Sequence, residues 1–340
     1  MRYRWLYVVI LILASSWAVR AQSDVPIISG GAGFLNSNDG GSNSFQPVIT
    51  PVVVIPLGDH WLIESRTDLR GFIGRQDGTS GPYQGQFFGT LEYLQVDYNV
   101  NSALTVTAGR FLTPFGIFNE RLTPIWINRF QDGPYIGTIG TAGGYSDGVM
   151  ARGGWDSGNG YSINYTAYAS TLSTVNKLES ERSAGGRFGI FFPKSRLEVG
   201  TSYQKSLQAA RGNSEGMDVS WDPYRAPLDV KGEWAHSASG YGYWIEAAYR
   251  LSQYHGSTSA IGRLEPVIRM EQFHRSMSIA GDSLPGSSER RPDFGVNYYL
   301  AHEVRLHASY GRQFNNQLNS NIWEFGVTYR FLFPAWPGGK

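Results

Sequence analysis

Apolar and polar residues alternate along most of this 340-residue chain. In the segment 241–251, Tyr241, Tyr243 and Ile245 share one face, whereas Glu246 and Arg250 share the other. A side-chain period of two predicts β-strands that separate two environments. Fifteen segments fit this pattern, at 47–55, 60–74, 86–99, 102–111, 146–155, 160–171, 184–193, 196–206, 216–223, 227–236, 241–252, 263–274, 292–301, 304–314 and 321–333.

The connections between these segments alternate between short and long. The short turns are at 56–59, 100–101, 156–159, 194–195, 224–226 and 302–303, with a ten-residue turn at 253–262. The longer connections, at 75–85, 112–145, 172–183, 207–215, 275–291 and 315–320, fall at the other end. Single-chain bacterial barrels have an even number of strands. One more strand is therefore expected, with Pro26–Leu35 as the candidate and 36–44 as a Gly/Ser/Asn-rich loop. We predict sixteen strands, with fourteen or eighteen as alternatives.

The composition and the aromatic positions favour a membrane barrel. No apolar run after the N-terminal region is long enough for a spanning helix, and only helices and closed barrels can cross a bilayer. The chain has 42 Gly, 20 Tyr, 18 Phe and 10 Trp residues, and many aromatics end apolar strand faces, as in an interfacial girdle. A soluble β-sandwich also alternates and stays as the alternative. The predicted fold class is all-β, a transmembrane antiparallel β-barrel.

The N-terminus has the layout of a secretory signal peptide. Arg2 and Arg4 precede an apolar run, and Val19–Ala21 provides a small-residue cleavage site. The predicted organisation is a signal peptide at 1–21, an N-terminal segment with a first strand at 22–46, the barrel at 47–333 and a tail at 334–340. Loss of three arginines takes the formal charge from +1 to −2, with 26 cations against 28 anions. This balance gives no reason to expect a nucleic-acid partner.

The 34 residues Leu112–Tyr145 interrupt the strand pattern. They include Phe115, Phe118 and Phe130 and are too apolar for a disordered linker. Thr123 followed by Pro124 predicts the start of a helix. We expect a folded loop that turns into the barrel and narrows it. Its charged residues are the candidate pore constriction: Glu120, Arg121, Arg129 and Asp132.

Strand parity also predicts which charged residues face the lumen. An arginine that faced lipid at mid-strand would cost about 2–4 kcal/mol. Charges of both signs are expected there, either as a transverse field that orients solutes or as ion pairs that stiffen the wall. The predicted lumen-wall residues are Glu64, Arg66, Asp68, Arg70, Arg187, Glu246, Arg250, Arg269, Glu271, Arg305 and Arg330.

Three phrases resemble a known family. AGRFLTPFGIFNERL (108–122), LEPVIRMEQF (264–273) and RRPDFGVNYYLAHEVRLHASY (290–310) are similar to bacterial outer-membrane porins of the phosphate-selective type. The resemblance implies that the loop between strands five and six folds inward, and it implies a homotrimer. Phosphate-selective porins use clustered lysines, whereas the loop 112–145 has none.

These observations predict an outer-membrane porin of a Gram-negative-type bacterium, with a water-filled channel for passive diffusion of small hydrophilic solutes or ions. Its other partner is outer-membrane lipid. No enzymatic activity, cofactor or metal site is expected: the chain has no cysteine, and its histidines show no metal-binding spacing. The alternatives are a barrel enzyme of the lipase or protease type, with His236 or His274 at the rim, and a structural or adhesive barrel.

Overall fold

The computed structural model describes residues 25–75, 78, 80–141, 144–158, 160–172, 182–207, 212–279, 282–300, 303–315 and 319–334. The predicted signal peptide and residues 335–340 of the predicted tail lie outside the described residues. No helix in the described part of the chain is long and apolar enough to cross a membrane.

Sixteen antiparallel strands form one closed barrel, as predicted. Each strand pairs with its neighbours in sequence, and β1 pairs with β16 from Ile27–Pro334 to Asp39–Ile322. The closed ring excludes the two packed sheets of a sandwich. The strands are β1 (Ile27–Asp39), β2 (Ser42–Leu57), β3 (Trp61–Arg75), β4 (Tyr83–Asn101), β5 (Leu104–Leu112), β6 (Tyr145–Asp156), β7 (Ser162–Leu172), β8 (Arg182–Phe192), β9 (Leu197–Ser206), β10 (Asn213–Trp221), β11 (Leu228–Ser237), β12 (Gly240–Tyr249), β13 (Leu264–Arg275), β14 (Glu289–Tyr299), β15 (Val304–Asn315) and β16 (Asn319–Pro334).

The first hairpin corrects the predicted loop at 36–44. Strand β1 runs on to Asp39, and a two-residue turn at Gly40 and Gly41, both with positive φ, leads directly into β2. The amide of Asn36 donates to Asn43 Oδ1 at 2.7 Å, which ties the two strands together near the turn. Polar residues continue these strands because side-chain hydrogen bonds and the ladder replace apolar burial. The turn expected at 253–262 spans 250–263 and includes a short α-helix, Ser252–His255.

The two faces of the barrel wall differ as the alternation predicts. Phe325 on the outer face is 52% exposed, whereas the neighbouring Glu324, which points inward, is 4% exposed. The same contrast separates Ile268 from Arg269 on β13. Away from the strand ends, charged residues such as Glu324 and Arg269 are thus enclosed by the ring, and apolar side chains cover its outside, which is the arrangement that a lipid environment requires.

The long loop, residues 113–144 between β5 and β6, is folded. It contains a five-residue π-helix, Phe118–Leu122. The predicted helix start at Thr123–Pro124 is wrong. The hydroxyl of Thr123 donates to the carbonyl of Asn119 at 3.0 Å, so it serves the end of the preceding helix. The carbonyl of Pro124 accepts N–H groups from Ile127 and Asn128 in a tight turn.

The two ends of the long loop are tied together. The side-chain amide of Asn119 donates to the carbonyls of Thr113 and Gly144, both at 2.9 Å. The backbone N–H of Thr113 also donates to Gly144 at 3.0 Å. These bonds fix the direction in which the loop leaves β5.

The two faces can be tested by cysteine labelling, since the chain has no cysteine of its own. Cysteine at Arg152 or Arg70, which point inward with 41% and 33% of the side chain exposed, should react with a membrane-impermeant thiol reagent in reconstituted protein. Cysteine at Tyr243 or Phe325 on the outer face should be protected by lipid. Similar reaction at all four positions would contradict the assignment of the faces.

Candidate functional site

The long loop packs against apolar residues that point inward from the wall. Phe115, Ile117, Ile136 and Ile139 of the loop form a buried cluster with wall residues. The wall contributes Ala235, Trp244 and Phe273 from β11, β12 and β13. Such side chains would be unfavourable on the wall of an open water channel, because their apolar surface would face water. They form a dry docking surface for the loop.

Two smaller contacts fix the remainder of the loop. Ile125 is buried with Leu35 and Val48 of β1 and β2, and Trp126 packs against this group. Phe130 is buried with Ala248 and Val267 on β12 and β13. The loop therefore contacts β1 and β2 as well as β12 and β13.

Glycines in the wall make space for these loop side chains. A Cβ added at Gly31 would lie 2.5 Å from the ring of Trp126, and one at Gly242 would lie 2.7 Å from Ile136. A Cβ added at Gly216 would lie 2.9 Å from the ring of Phe115, and one at Gly295 would lie 3.0 Å from the ring of Phe130. Close approach of the loop to the wall depends on the missing side chains at these positions.

Arg129 lies among three carboxylates of the wall. Its Nη2 is 2.6 Å from Asp229, its Nη1 is 3.2 Å from Glu246 and its Nε is 3.1 Å from Glu265. Burial alone lowers the pKa of the Arg129 guanidinium, but Glu265, Asp229 and Glu246 raise it above its usual value. The arginine is therefore a permanent cation, and it neutralises part of a cluster of acids from β11, β12 and β13.

Whereas Arg129 contacts carboxylates, Asp132 contacts arginines of the wall. Its backbone carbonyl accepts two hydrogen bonds from Arg269, at 3.1 and 3.0 Å, and its carboxylate accepts one from Arg291 at 3.1 Å. Arg269 also lies over the Phe130 ring, 4.5 Å from its centroid. Two of the four predicted constriction residues, Arg129 and Asp132, thus bind the loop to the wall.

Backbone groups of the loop are bound by wall side chains as well. Glu233 accepts the N–H of Phe118 at 3.1 Å, and Glu271 accepts the N–H of Tyr135 at 2.9 Å. Arg305 donates to the carbonyl of Ile125 at 2.6 Å. Several predicted lumen-wall residues, including Glu246, Arg269, Glu271 and Arg305, therefore hold the loop.

Glu120 and Arg121 form a second group on the opposite side of the loop. Arg121 makes a two-pronged ion pair with Glu198 on β9, at 2.8 and 3.1 Å. Glu120 accepts a hydrogen bond from Arg152 on β6 at 3.0 Å. In both pairs the arginine is the more exposed partner, with 44% of the Arg121 side chain exposed against 14% for Glu198.

The other predicted wall residues occupy the same face of the ring. Arg187 is buried and bonds to Asp218, Asn164 and Glu198. Arg66 pairs with Glu92, the extra residue of a β-bulge in β4, and donates to Thr123 of the loop at 3.0 Å.

Weaker contacts and strand ends account for the remaining predicted residues. Glu64 accepts from Gln95 at 3.3 Å, and Asp68 pairs with Arg70 at 2.9 Å. Arg250 follows the end of β12 and pairs with Asp222, and Arg330 is exposed near the end of β16 that carries the chain terminus. Arg250 and Arg330 lie at the end of the barrel opposite the long loop.

The space around the loop is uneven. A cavity of about 430 Å³ lies between the loop and β3 to β8. The space beside β11 to β13 is about 260 Å³, and that beside β1, β15, β16 and Arg70 of β3 is about 50 Å³. The largest of these three spaces around the loop is lined by Glu64, Arg66, Tyr93, Gln95, Thr105, Leu112, Glu120, Arg121, Arg152, Gly153, Asn164, Tyr165, Thr166 and Arg187.

Several residues of these networks were not predicted from the sequence. Strand parity places most of them on the inward face, but some of their partners come from the long loop, whose path has no sequence period. Trp244 was the clearest signal, because it is a large apolar residue on the inward face of β12 beside Glu246. The missed residues are Glu92, Arg152, Glu198, Asp218, Asp229, Glu233, Glu265, Arg291 and Asp293.

The rim histidines lie outside these networks. His236 and His274 are on the outer face, where their rings flank Tyr241 at 6.4 and 4.9 Å. Within the described residues, no group of three or more His, Cys, Asp or Glu side chains is placed to hold a metal ion.

Solved structures share this architecture. No protein-family model and no curated protein sequence matches the chain. Salmonella typhi OmpF in complex with daunomycin matches with a TM-score of 0.61 at 14% identity, over 91% of this chain and 98% of that one. Pseudomonas putida OprB matches with a TM-score of 0.58 at 8% identity, over 97% and 98% of the two chains. The fold is that of the outer-membrane porins. The anion-selective porin from Comamonas acidovorans has the same porin fold, with a TM-score of 0.53 at 12% identity over 90% and 98%.

Replacement of Arg129 by Met should destabilise the docked loop. The change leaves Asp229, Glu246 and Glu265 close together without their shared cation, and loss of one partner from a buried ion network costs about 3–5 kcal/mol. We expect a lower denaturant midpoint for the barrel and faster protease cleavage within residues 113–144.

The matched control for this prediction is Arg225→Met, a change of the same type at an exposed turn residue at the opposite end of the barrel. If both variants unfold and are cleaved like the wild type, the Arg129 network does not hold the loop.

Proposed function

We propose that this protein is an outer-membrane porin through which small hydrophilic solutes and ions diffuse passively. The observation that carries the proposal is a closed sixteen-strand ring with an apolar outside and a charged, incompletely filled interior. A ring of this size encloses more space than its own inward side chains fill. Flux follows the solute gradient and requires no catalytic step or cofactor. The end that carries the long loop faces outward in this assignment.

The long loop is proposed to fold into the lumen and narrow it. Support comes from its contacts with inward side chains on β3, β9, β11, β13 and β15. These strands are distributed around the ring, and a loop that lies in the interior can reach all of them. The passage is then proposed to lie in the largest of the three spaces around the loop, between Glu120–Arg121 and the wall formed by β3 to β8.

The charges along this passage favour a weak preference for anions. Arg121 and Arg152 expose more of their side chains than their carboxylate partners, Glu198 and Glu120. A passing ion therefore meets the guanidinium groups first, in a narrow space where Coulomb interactions are less screened than at an open surface. No lysine is among the residues that line the described cavity, so the phosphate-selective type of the resemblance stays a prediction. The homotrimer also stays a prediction.

The rim-enzyme alternative has less support than the channel. His236 and His274 face outward within an aromatic row that includes Trp234 and Tyr241. Aromatic and histidine side chains of this kind suit the boundary between lipid and water. The structural or adhesive alternative would leave the cavity and its half-exposed charges without a role.

Removal of Asn119–Gly133 should raise the single-channel conductance in planar bilayers. The deletion takes away four of the five residues of the π-helix, together with Arg121 and Arg129. A deletion of Tyr254–Thr258 from the β12–β13 connection, at the inner end, is the control and should leave conductance near the wild-type value. An unchanged conductance after the first deletion would show that the loop does not narrow the passage.

Reversal of Arg121 to Glu should shift ion preference toward cations. The change places a carboxylate beside Glu198 in the passage and removes its most exposed guanidinium. The zero-current potential in a salt gradient measures the shift, which should grow at low salt because the Debye length rises from about 3 Å at 1 M to about 30 Å at 0.01 M. Arg225→Glu is the charge-matched control, and an equal shift in that variant would contradict a passage beside Arg121.

A further inference from the structure

Two arginines point outward from the barrel near its loop end. Arg290 is the second residue of β14, and Arg312 lies near the end of β15; both are exposed. Their outward direction follows from their neighbours of the same parity, Phe294 at 58% and Leu306 at 39% exposure. Arginine is unfavourable on the lipid face of a barrel at mid-membrane and tolerable only near the interface.

Aromatic residues on the outer face indicate how deep these arginines lie in the membrane. Tyr310 and Trp323 pack together with ring centroids 4.6 Å apart on the outer face of β15 and β16. Arg312 lies two residues beyond Tyr310 toward the loop end, which is about 7 Å along a strand. Tyrosine and tryptophan mark the boundary between the acyl chains and the headgroups. The guanidinium groups therefore lie at the height of lipid headgroups.

Both guanidinium groups share one aromatic ring. Arg290 lies 5.0 Å and Arg312 5.4 Å from the centroid of Phe314, which is paired with Arg290 in the β14–β15 register. Among the described residues, this ring is the only side-chain partner of either arginine. Stacking on a ring orients a guanidinium while leaving its N–H groups free to donate.

The surrounding outer face has no compensating negative charge. The outward positions of the described strands β12 to β16 include no aspartate or glutamate. This contrasts with the interior, where Arg129, Arg269 and Arg291 each contact at least one carboxylate. The two outward arginines therefore have charge and donors to offer a ligand outside the protein.

We propose that Arg290, Phe314 and Arg312 form a binding site for a phosphate group on a lipid of the outer leaflet. Two guanidinium groups held against one ring supply several N–H donors, and planar guanidinium groups match phosphate oxygens. The lipid is favoured over free phosphate because the apolar strip below the arginines, including Phe294 and Phe325, can contact acyl chains while the headgroup is bound. The inference rests on the proposed membrane location but not on conduction through the barrel.

The test uses the full-length barrel in neutral detergent, mixed with equal amounts of diphosphoryl lipid A and its dephosphorylated form. Native mass spectrometry then measures which lipid stays bound. The wild type should retain the diphosphoryl form with about tenfold preference, the factor that one charge-assisted hydrogen bond supplies. The variant R290Q/R312Q should lose this preference. Retention of the preference in the double variant would overturn the proposal.

Two controls separate the competing explanations. Lys205 is also exposed and outward at the loop end, on β9, and K205Q should keep the tenfold preference; an equal loss there would mean general surface charge and would overturn the site. Millimolar inorganic phosphate should not displace the lipid, and displacement at that concentration would assign the site to free anions. Planar-bilayer conductance of R290Q/R312Q should match the wild type, which shows that the barrel is folded and tests the channel separately.

Discussion

The space enclosed by sixteen strands is the constraint on which the rest of this structure depends. Closure pairs the backbone groups of β1 with those of β16 and removes the free edges that an open sheet would leave. The same closure creates an interior wider than the wall side chains can fill. Residues of the long loop, including the aromatic Phe115, pack on apolar side chains that point inward from the wall, such as Trp244 and Phe273. The wall therefore has apolar patches and glycines at the positions that the loop contacts.

Charge fixes the position of the loop more than it stabilises the protein. Buried ion pairs regain little free energy beyond the cost of desolvating their members, and apolar replacements can be as stable. A missing partner is costly, however, and this makes wrong positions of the loop unfavourable. If the loop moved by one residue, Glu246 and Glu265 would lose Arg129, Asp229 would keep only Lys231 as its cation, and Glu233 would lose the N–H of Phe118. The network thus specifies one docked arrangement.

The strands of the wall could be predicted from the sequence because the alternation that identifies them involves only neighbouring residues in the chain. A period of two identifies strand, face and direction at once, so Glu246 and Phe325 are placed correctly by counting residues. The predicted boundaries fail where the period is weak: polar residues near the Gly40–Gly41 turn continue the strands through hydrogen bonds such as Asn36 to Asn43. The long loop has no period. Its charged residues could be named, but their partners could not, because contacts such as Arg129 with Glu265 join residues 136 positions apart.

Burial separates two roles among charged residues that look alike in sequence. Arg129 and Arg121 are both loop arginines paired with wall carboxylates, but 13% of the first side chain is exposed against 44% of the second. A cation surrounded by three acids has its field largely cancelled, and it acts on the position of the chain. A cation paired on one side and open to water on the other keeps a field that a passing ion can feel. In the proposed channel, the side of the loop on which an arginine lies therefore decides whether it holds the loop in place or acts on the solute. The loop packs tightly against β1, β15 and β16 and loosely against most of β3 to β8. This uneven packing places the more exposed charges of Glu120, Arg121 and Arg152 in one sector of the ring, which is the sector where we propose that solutes pass.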